Sequence, residues 1–159
     1  MGASGWAYVT RYRGDAAAAL RELQERVFRD VDYQWWDEFG EFEPRPDSVE
    51  GIWAAEGRWT SGTHSILDIE RVADTTDPPD WEFGGDLGTV WPLAADRVEW
   101  MFGTARPSRA QFEALAMDYA HPLHAALMDE VGPRWTGLYV LLYEGETPTE
   151  IGFWGFSGD

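Results

Sequence analysis

The chain has 159 residues, of which 44% are hydrophobic, enough for one sizeable core in a single domain. Twenty-nine acidic residues face twelve basic ones, all arginine, for a net charge of −17, which argues against nucleic-acid or anionic-membrane surfaces as partners and favours cationic ones. Cysteine and lysine are absent, which removes disulfides, thiolate metal sites, cysteine nucleophiles, Schiff-base chemistry and any phosphate-binding GxxxxGK[ST] loop.

Along the chain, "WAYVTRY" (residues 6–12) alternates and predicts a strand, with Trp6, Tyr8, Thr10 and Tyr12 on one face and Ala7, Val9 and Arg11 on the other. "GDAAAALRELQERVFRDV" follows, with Asp15 as its cap and Leu20, Leu23, Val27 and Val31 at helical spacing. "DYQWWDEFGEFEPRPD" (32–47) has no period and reads as a loop. "DSVEGIWAAEG" predicts a short helix, with Asp47 and Glu50 at capping-box spacing and Gly57 ending it. "GTHSILDIERV" is rich in β-formers and reads as a second strand. Residues 74–91 form a second acidic loop, broken by Pro and Gly pairs.

"PLAADRVEWMFG" predicts a helix with Pro92 in its first turn and Gly103 past its end. "SRAQFEALAMDYAHPLHAALMDEVGP" is helical, opens on a Ser108/Gln111 capping box and should kink or split at Pro122. "WTGLYVLLYEGETPTEIGFWGF" reads as a β-hairpin. Its second strand carries Ile151 and Phe153 on one face and Trp154 and Phe156 on the other, as expected of an interior strand covered on both sides. The expectation is an α+β domain with a mostly antiparallel sheet of about four strands and helices packed on it.

No family fingerprint is present: GxGxxG after a strand, GxSxG and HExxH are all missing. No catalytic residue is assigned. Asp118, His121 and His124 have D-x-x-H-x-x-H spacing, which on an unbroken helix would gather a carboxylate and two imidazoles suited to a divalent metal. Pro122 inside the motif argues for a break there, so the expectation is two ordinary helix histidines and no cofactor. His64, Ser65 and Asp68 resemble a nucleophilic set, but on a strand His64 and Ser65 point apart, and Asp68 lies about 13 Å from His64. Carboxylate pairs such as Glu41/Glu43 and Asp80/Glu82 read as solvated surface acids.

The more informative feature is where acids and aromatics coincide. Residues 31–90 hold fifteen acids and three arginines, −12 of the total −17. Within them, Trp35, Trp36, Asp37, Glu38 and Phe39, together with Trp81, Glu82 and Phe83, are the expected binding residues. An aromatic face attracts a cation and a carboxylate pairs with it. The expected function is a small, soluble, cytoplasmic acidic binding protein, immunity- or antitoxin-like, that recognises a basic protein or cationic ligand. The alternatives are an enzyme with an aromatic-lined pocket for a cationic substrate, or a bacterial housekeeping protein whose acidity reflects GC-rich codon usage. The aromatics, or an edge strand near residues 6–12 or 151–156, would also serve a homodimer.

Overall fold

The computed structural model describes residues 4–35, 44–75 and 86–158. These form an α+β fold around one mixed sheet. Its strands are β1 (Gly5–Arg11), β2 (Arg71–Val72), β3 (Thr89–Pro92), β4 (Thr136–Glu144) and β5 (Thr147–Phe156), in the order β1-β5-β4-β3-β2. β1 and β4 run antiparallel to β5, while β2, β3 and β4 run parallel to one another. The expected four-stranded sheet is thus a five-stranded one with a parallel half. Joining two adjacent parallel strands takes a long crossover, and the helices after β3 supply it.

The central strand, β5, explains the aromatic end of the chain. Ile151 and Phe153 point into one buried cluster and Trp154 into the other. Among the described residues, β1 is an edge and β5 is interior, so residues 151–156 offer no free edge for pairing between subunits. Glycine makes room for the rings: a Cβ on Gly152 would stand 2.7 Å from the Phe112 ring, and one on Gly155 would run into the Thr136 carbonyl and the Trp6 indole.

One face of the sheet is covered by α1 (Ala16–Arg29) and α2 (Val49–Ala54), through Leu20, Leu23, Val27, Val49 and Ile52. Asp15 caps α1 by accepting from the Ala17 and Ala18 amides at 2.8 and 3.1 Å. Ser48, not Asp47, caps α2. Gly57 does not end that helix; it begins α3 (Gly57–Ser61). The other face is covered by α4 (Ala95–Phe102), α5 (Arg109–Ala116) and α6 (His124–Asp129). The Ser108/Gln111 capping box starts α5, and Gly103, with φ 70°, ends α4. Pro92 is the last residue of β3, not the first turn of α4.

The largest correction falls on "GTHSILDIERV". Only Arg71 and Val72 are strand; Ile66–Asp68 is a 3-10 turn. Its β-rich residues are needed for burial: Ile66, Leu67 and Ile69 are fully buried, and the Gln24 amide of α1 donates to the Ile69 carbonyl at 2.6 Å. Among the described residues, no helix is long and apolar enough to cross a membrane.

Candidate functional site

Of the residues expected to bind, Trp35 alone falls among the described residues. Trp35 is 2% exposed and packs in the cluster under α1 and α2. Its ring is a core element, not a displayed one, because the chain leaving α1 folds down against the 63–70 segment, where the Gln34 amide donates to the Thr63 carbonyl at 2.9 Å. Trp36, Asp37, Glu38, Phe39, Trp81, Glu82 and Phe83 lie outside the described residues, as do Glu41, Glu43 and Asp80.

Asp118, His121 and His124 are not on one continuous helix. α5 ends at Ala116, and a turn occupies the chain until α6 begins at His124. Each group has a local partner. The Ala120 amide donates to Asp118 Oδ1 at 3.0 Å, and the Leu123 amide donates to His121 Nδ1 at 3.1 Å. His124 Nδ1 lies 3.0 Å from the Leu115 carbonyl; a carbonyl only accepts, so that nitrogen carries the proton. The Tyr119 ring meets His124 edge-on at 4.8 Å. Among the described residues, no group of three metal-ligating side chains is placed to hold an ion.

His64, Ser65 and Asp68 sit in the turn, not on a strand. His64 has φ 55°, in the left-handed region. Ser65 caps the 3-10 turn, accepting from the Leu67 amide at 3.2 Å, and its hydroxyl lies 2.9 Å from that of Thr63. Ser65 and Asp68 are both wholly buried.

This turn belongs to a buried polar cluster that sequence reasoning missed. The cluster lies where β2, β3 and β4 begin and β5 ends. Its centre is Arg58 of α3, with no exposed surface. The guanidinium donates to Glu70 Oε1 at 2.5 Å and stands 3.9 Å from the centroid of the Trp59 ring. Trp59 is 42% exposed and packs at a tilt against Trp135, whose indole N–H donates to the Arg58 carbonyl at 3.1 Å. Trp135 has φ 60°, a costly conformation for an aromatic residue. Two backbone bonds hold it there: its amide donates to Phe156 and its carbonyl accepts from Gly88.

Asp68 closes the cluster from below. Its Oδ1 accepts from the Thr63 amide at 2.7 Å, and its Oδ2 has no hydrogen-bond partner. The buried hydroxyls of Ser157 and Thr89 and the Arg58 Nε are likewise unpartnered. Burial pushes the Asp68 carboxyl above the usual range. The Ser157 hydroxyl, which faces it without forming a well-aligned hydrogen bond, the Thr63 amide and hydroxyl, and the Arg58 charge all pull the other way without cancelling that effect. Gly62 is required here: a Cβ would stand 2.9 Å from the Gly158 amide and 3.0 Å from Asp68 Oδ2. An arginine four residues before a β-rich run was legible; its burial was not, because the acid that pairs with it, Glu70, lies across a turn that reads as a strand.

The described ends of the two acidic stretches converge on this cluster, and residues 89–91 of the second, expected as loop, are strand β3. Gln34, before the first loop's undescribed part, is bonded to Thr63, while Gly88, after that of the second, accepts from the Glu70 amide at 2.7 Å. Thr63 and Glu70 bracket the same turn.

Among the described residues, three clefts lie away from this cluster. One of about 370 Å³, lined by Tyr139 and Tyr143 among apolar residues, runs between β4 and α4. A smaller one of about 140 Å³ lies beside β1 and includes His124. A third, of about 490 Å³, lies at the hairpin end by Arg11, Arg13, Glu144 and Glu150. Asp68, the buried carboxyl with the raised proton affinity, lines none of these three. The chain matches no protein-family model, no curated protein and no solved structure.

Proposed function

We propose that this is a small acidic binding protein, cytoplasmic and immunity- or antitoxin-like in its physical logic, that recognises a basic protein or a cationic ligand through its two aromatic–acidic loops. The observation that carries the reading is the anchoring of both loops on one rigid turn: Gln34 to Thr63, and Gly88 to Glu70. Loops held by a fixed scaffold are where recognition is usually placed. The charge balance supports it. Among the described residues, seven arginines form ion pairs with carboxylates, and with twenty-nine acids against twelve arginines a surplus of acids remains. Trp59, exposed beside the turn, adds an aromatic anchor of the kind enriched at binding hot spots.

The enzyme reading calls for a shifted acid at the floor of an aromatic pocket. In this fold the raised carboxyl of Asp68 and the tyrosine-lined cleft are separate, and among the described residues no carboxylate lines that cleft to hold a cationic substrate. Binding is therefore favoured over catalysis. The test is affinity capture from host lysate at low salt, followed by stopped-flow association with the captured partner. The expected result is a basic partner, released by salt, whose association rate falls steeply with ionic strength. A partner whose on-rate ignores salt, or an empty bait, would overturn the reading.

A further inference from the structure

We propose that the cleft between β4 and the start of α4 binds a small, neutral, planar molecule carrying an adjacent hydrogen-bond donor and acceptor, such as an amide or an amide-like heterocycle. The inference rests on different residues from the function proposed above and stands apart from it.

The cleft exists because β3 is short and β4 is long. β3 ends at Pro92, opposite Tyr139, while β4 continues to Glu144. The Leu93 amide makes the last bond of that pairing, donating to the Tyr139 carbonyl at 2.9 Å, before the chain turns into α4. Backbone groups along a strand alternate between its two neighbours. Tyr139 faces β3, so Leu141 faces the same way, beyond the end of β3. Two residues further on, the Tyr143 amide donates to the Pro107 carbonyl at 2.8 Å. The open edge is therefore bracketed at both ends, and between the brackets the Leu141 amide and carbonyl face the cleft that Leu141 lines.

This geometry selects the occupant. A backbone donor and acceptor left without partners in apolar surroundings are costly, and a molecule presenting the complementary pair relieves both. The walls are Leu93, Val98, Ala105, Tyr139 and Tyr143, and among the described residues no arginine, acid or histidine lines the cleft. An ion would thus lose its hydration without gaining a counter-charge. An amide is itself flat, and the Tyr139 ring is engaged elsewhere, packed against Phe153 at 5.9 Å. The volume, about 370 Å³, lies within the range of small-molecule sites. An extended peptide fits less well: the gap from Tyr139 to Tyr143 is about 13 Å along the strand, and the chain at Leu93 and at Pro107 closes both ends.

The experiment is a benzamide titration of the full-length, 15N-labelled protein, followed by two-dimensional amide NMR. Benzamide should move the Leu141 amide resonance saturably in the millimolar range. N,N-dimethylbenzamide, which keeps the ring and carbonyl but lacks the N–H, and toluene, which lacks both polar groups, should not. Ala105→Trp, placed on the exposed loop at the cleft wall, should abolish the benzamide shift while the rest of the spectrum stays folded. A Leu141 resonance that ignores benzamide, an equal saturable response to the dimethyl analogue or to toluene, or a shift that persists unchanged in Ala105→Trp would each overturn the proposal.

Discussion

The Arg58 guanidinium lies 3.9 Å from the centroid of the neighbouring Trp59 ring, so a wholly buried cation forms the underside of a half-exposed aromatic surface. Glu70, whose side chain is 43% exposed, supplies the opposing charge at 2.5 Å. Removing the arginine takes away packing and charge together, whereas removing the acid leaves water free to approach its place. Arg58→Ala is expected to cost about 3–5 kcal/mol in urea unfolding, and Glu70→Gln about 1 kcal/mol. Equal effects of the two substitutions would show that the cluster does not depend on the buried arginine.

Asp68 sets a pH dependence. Burial raises its proton affinity in the folded state. A carboxyl that binds its proton more tightly when folded favours folding at acid pH. Its contribution turns unfavourable as pH rises from the unfolded value, about 3.9, through the raised folded value. Asp68→Asn keeps an oxygen to accept from the Thr63 amide and removes the buried charge. The stability of the natural protein relative to Asp68→Asn should therefore fall as pH rises through that window. Urea midpoints at several pH values provide the check. A difference that does not change with pH would show that Asp68 titrates alike in the folded and unfolded chains.

The glycines of β5 test the packing of its aromatics. Gly155 is blocked by backbone as well as by the Trp6 ring, whereas Gly152 meets only the Phe112 side chain. Backbone cannot give way as a ring can. Gly155→Ala should be the more damaging, by about 1–3 kcal/mol, and Gly152→Ala the milder. At this chain size the Gly155→Ala loss is a fall in Tm of about 2–12 °C by calorimetry. The reverse order would mean that the β4–β5 approach is looser than the register indicates.

Trp35 and Trp59 have different roles. Trp35 is 2% exposed and Trp59 42%. Trp35→Ala should cost about 3–5 kcal/mol of stability through the cavity it leaves. Trp59→Ala should cost far less and should instead weaken the basic partner measured by calorimetry. If Trp59→Ala binds that partner as well as the natural protein does, the aromatic surface over Arg58 is not part of the interface.

Much of this fold is legible in local pattern. The β1 alternation places Trp6, Tyr8 and Tyr12 against one cluster and Ala7 and Val9 against the other. Asp15, Gly103 and the Ser108/Gln111 box mark helix ends through bonds reaching only a few residues. The helix expected to split at Pro122 is interrupted earlier, ending at Ala116 and resuming at His124. The metal reading of Asp118, His121 and His124 supposed an unbroken helix; in the fold each group is turned to a near neighbour.

What the sequence by itself determined is therefore local or additive: helix caps, the hairpin, the doubly covered last strand and the −17 charge with its concentration in residues 31–90. Only the tertiary structure decided that Ile66–Asp68 is a turn, that β2 and β3 lie parallel to β4, that Arg58 and Asp68 are buried together, and that Leu141 faces a cleft. The physical reason is the range of the forces involved. Caps and periodicity act within a turn or two of chain, whereas the burial of Arg58 depends on Glu70, Trp135 and the end of β5, which only folding brings together.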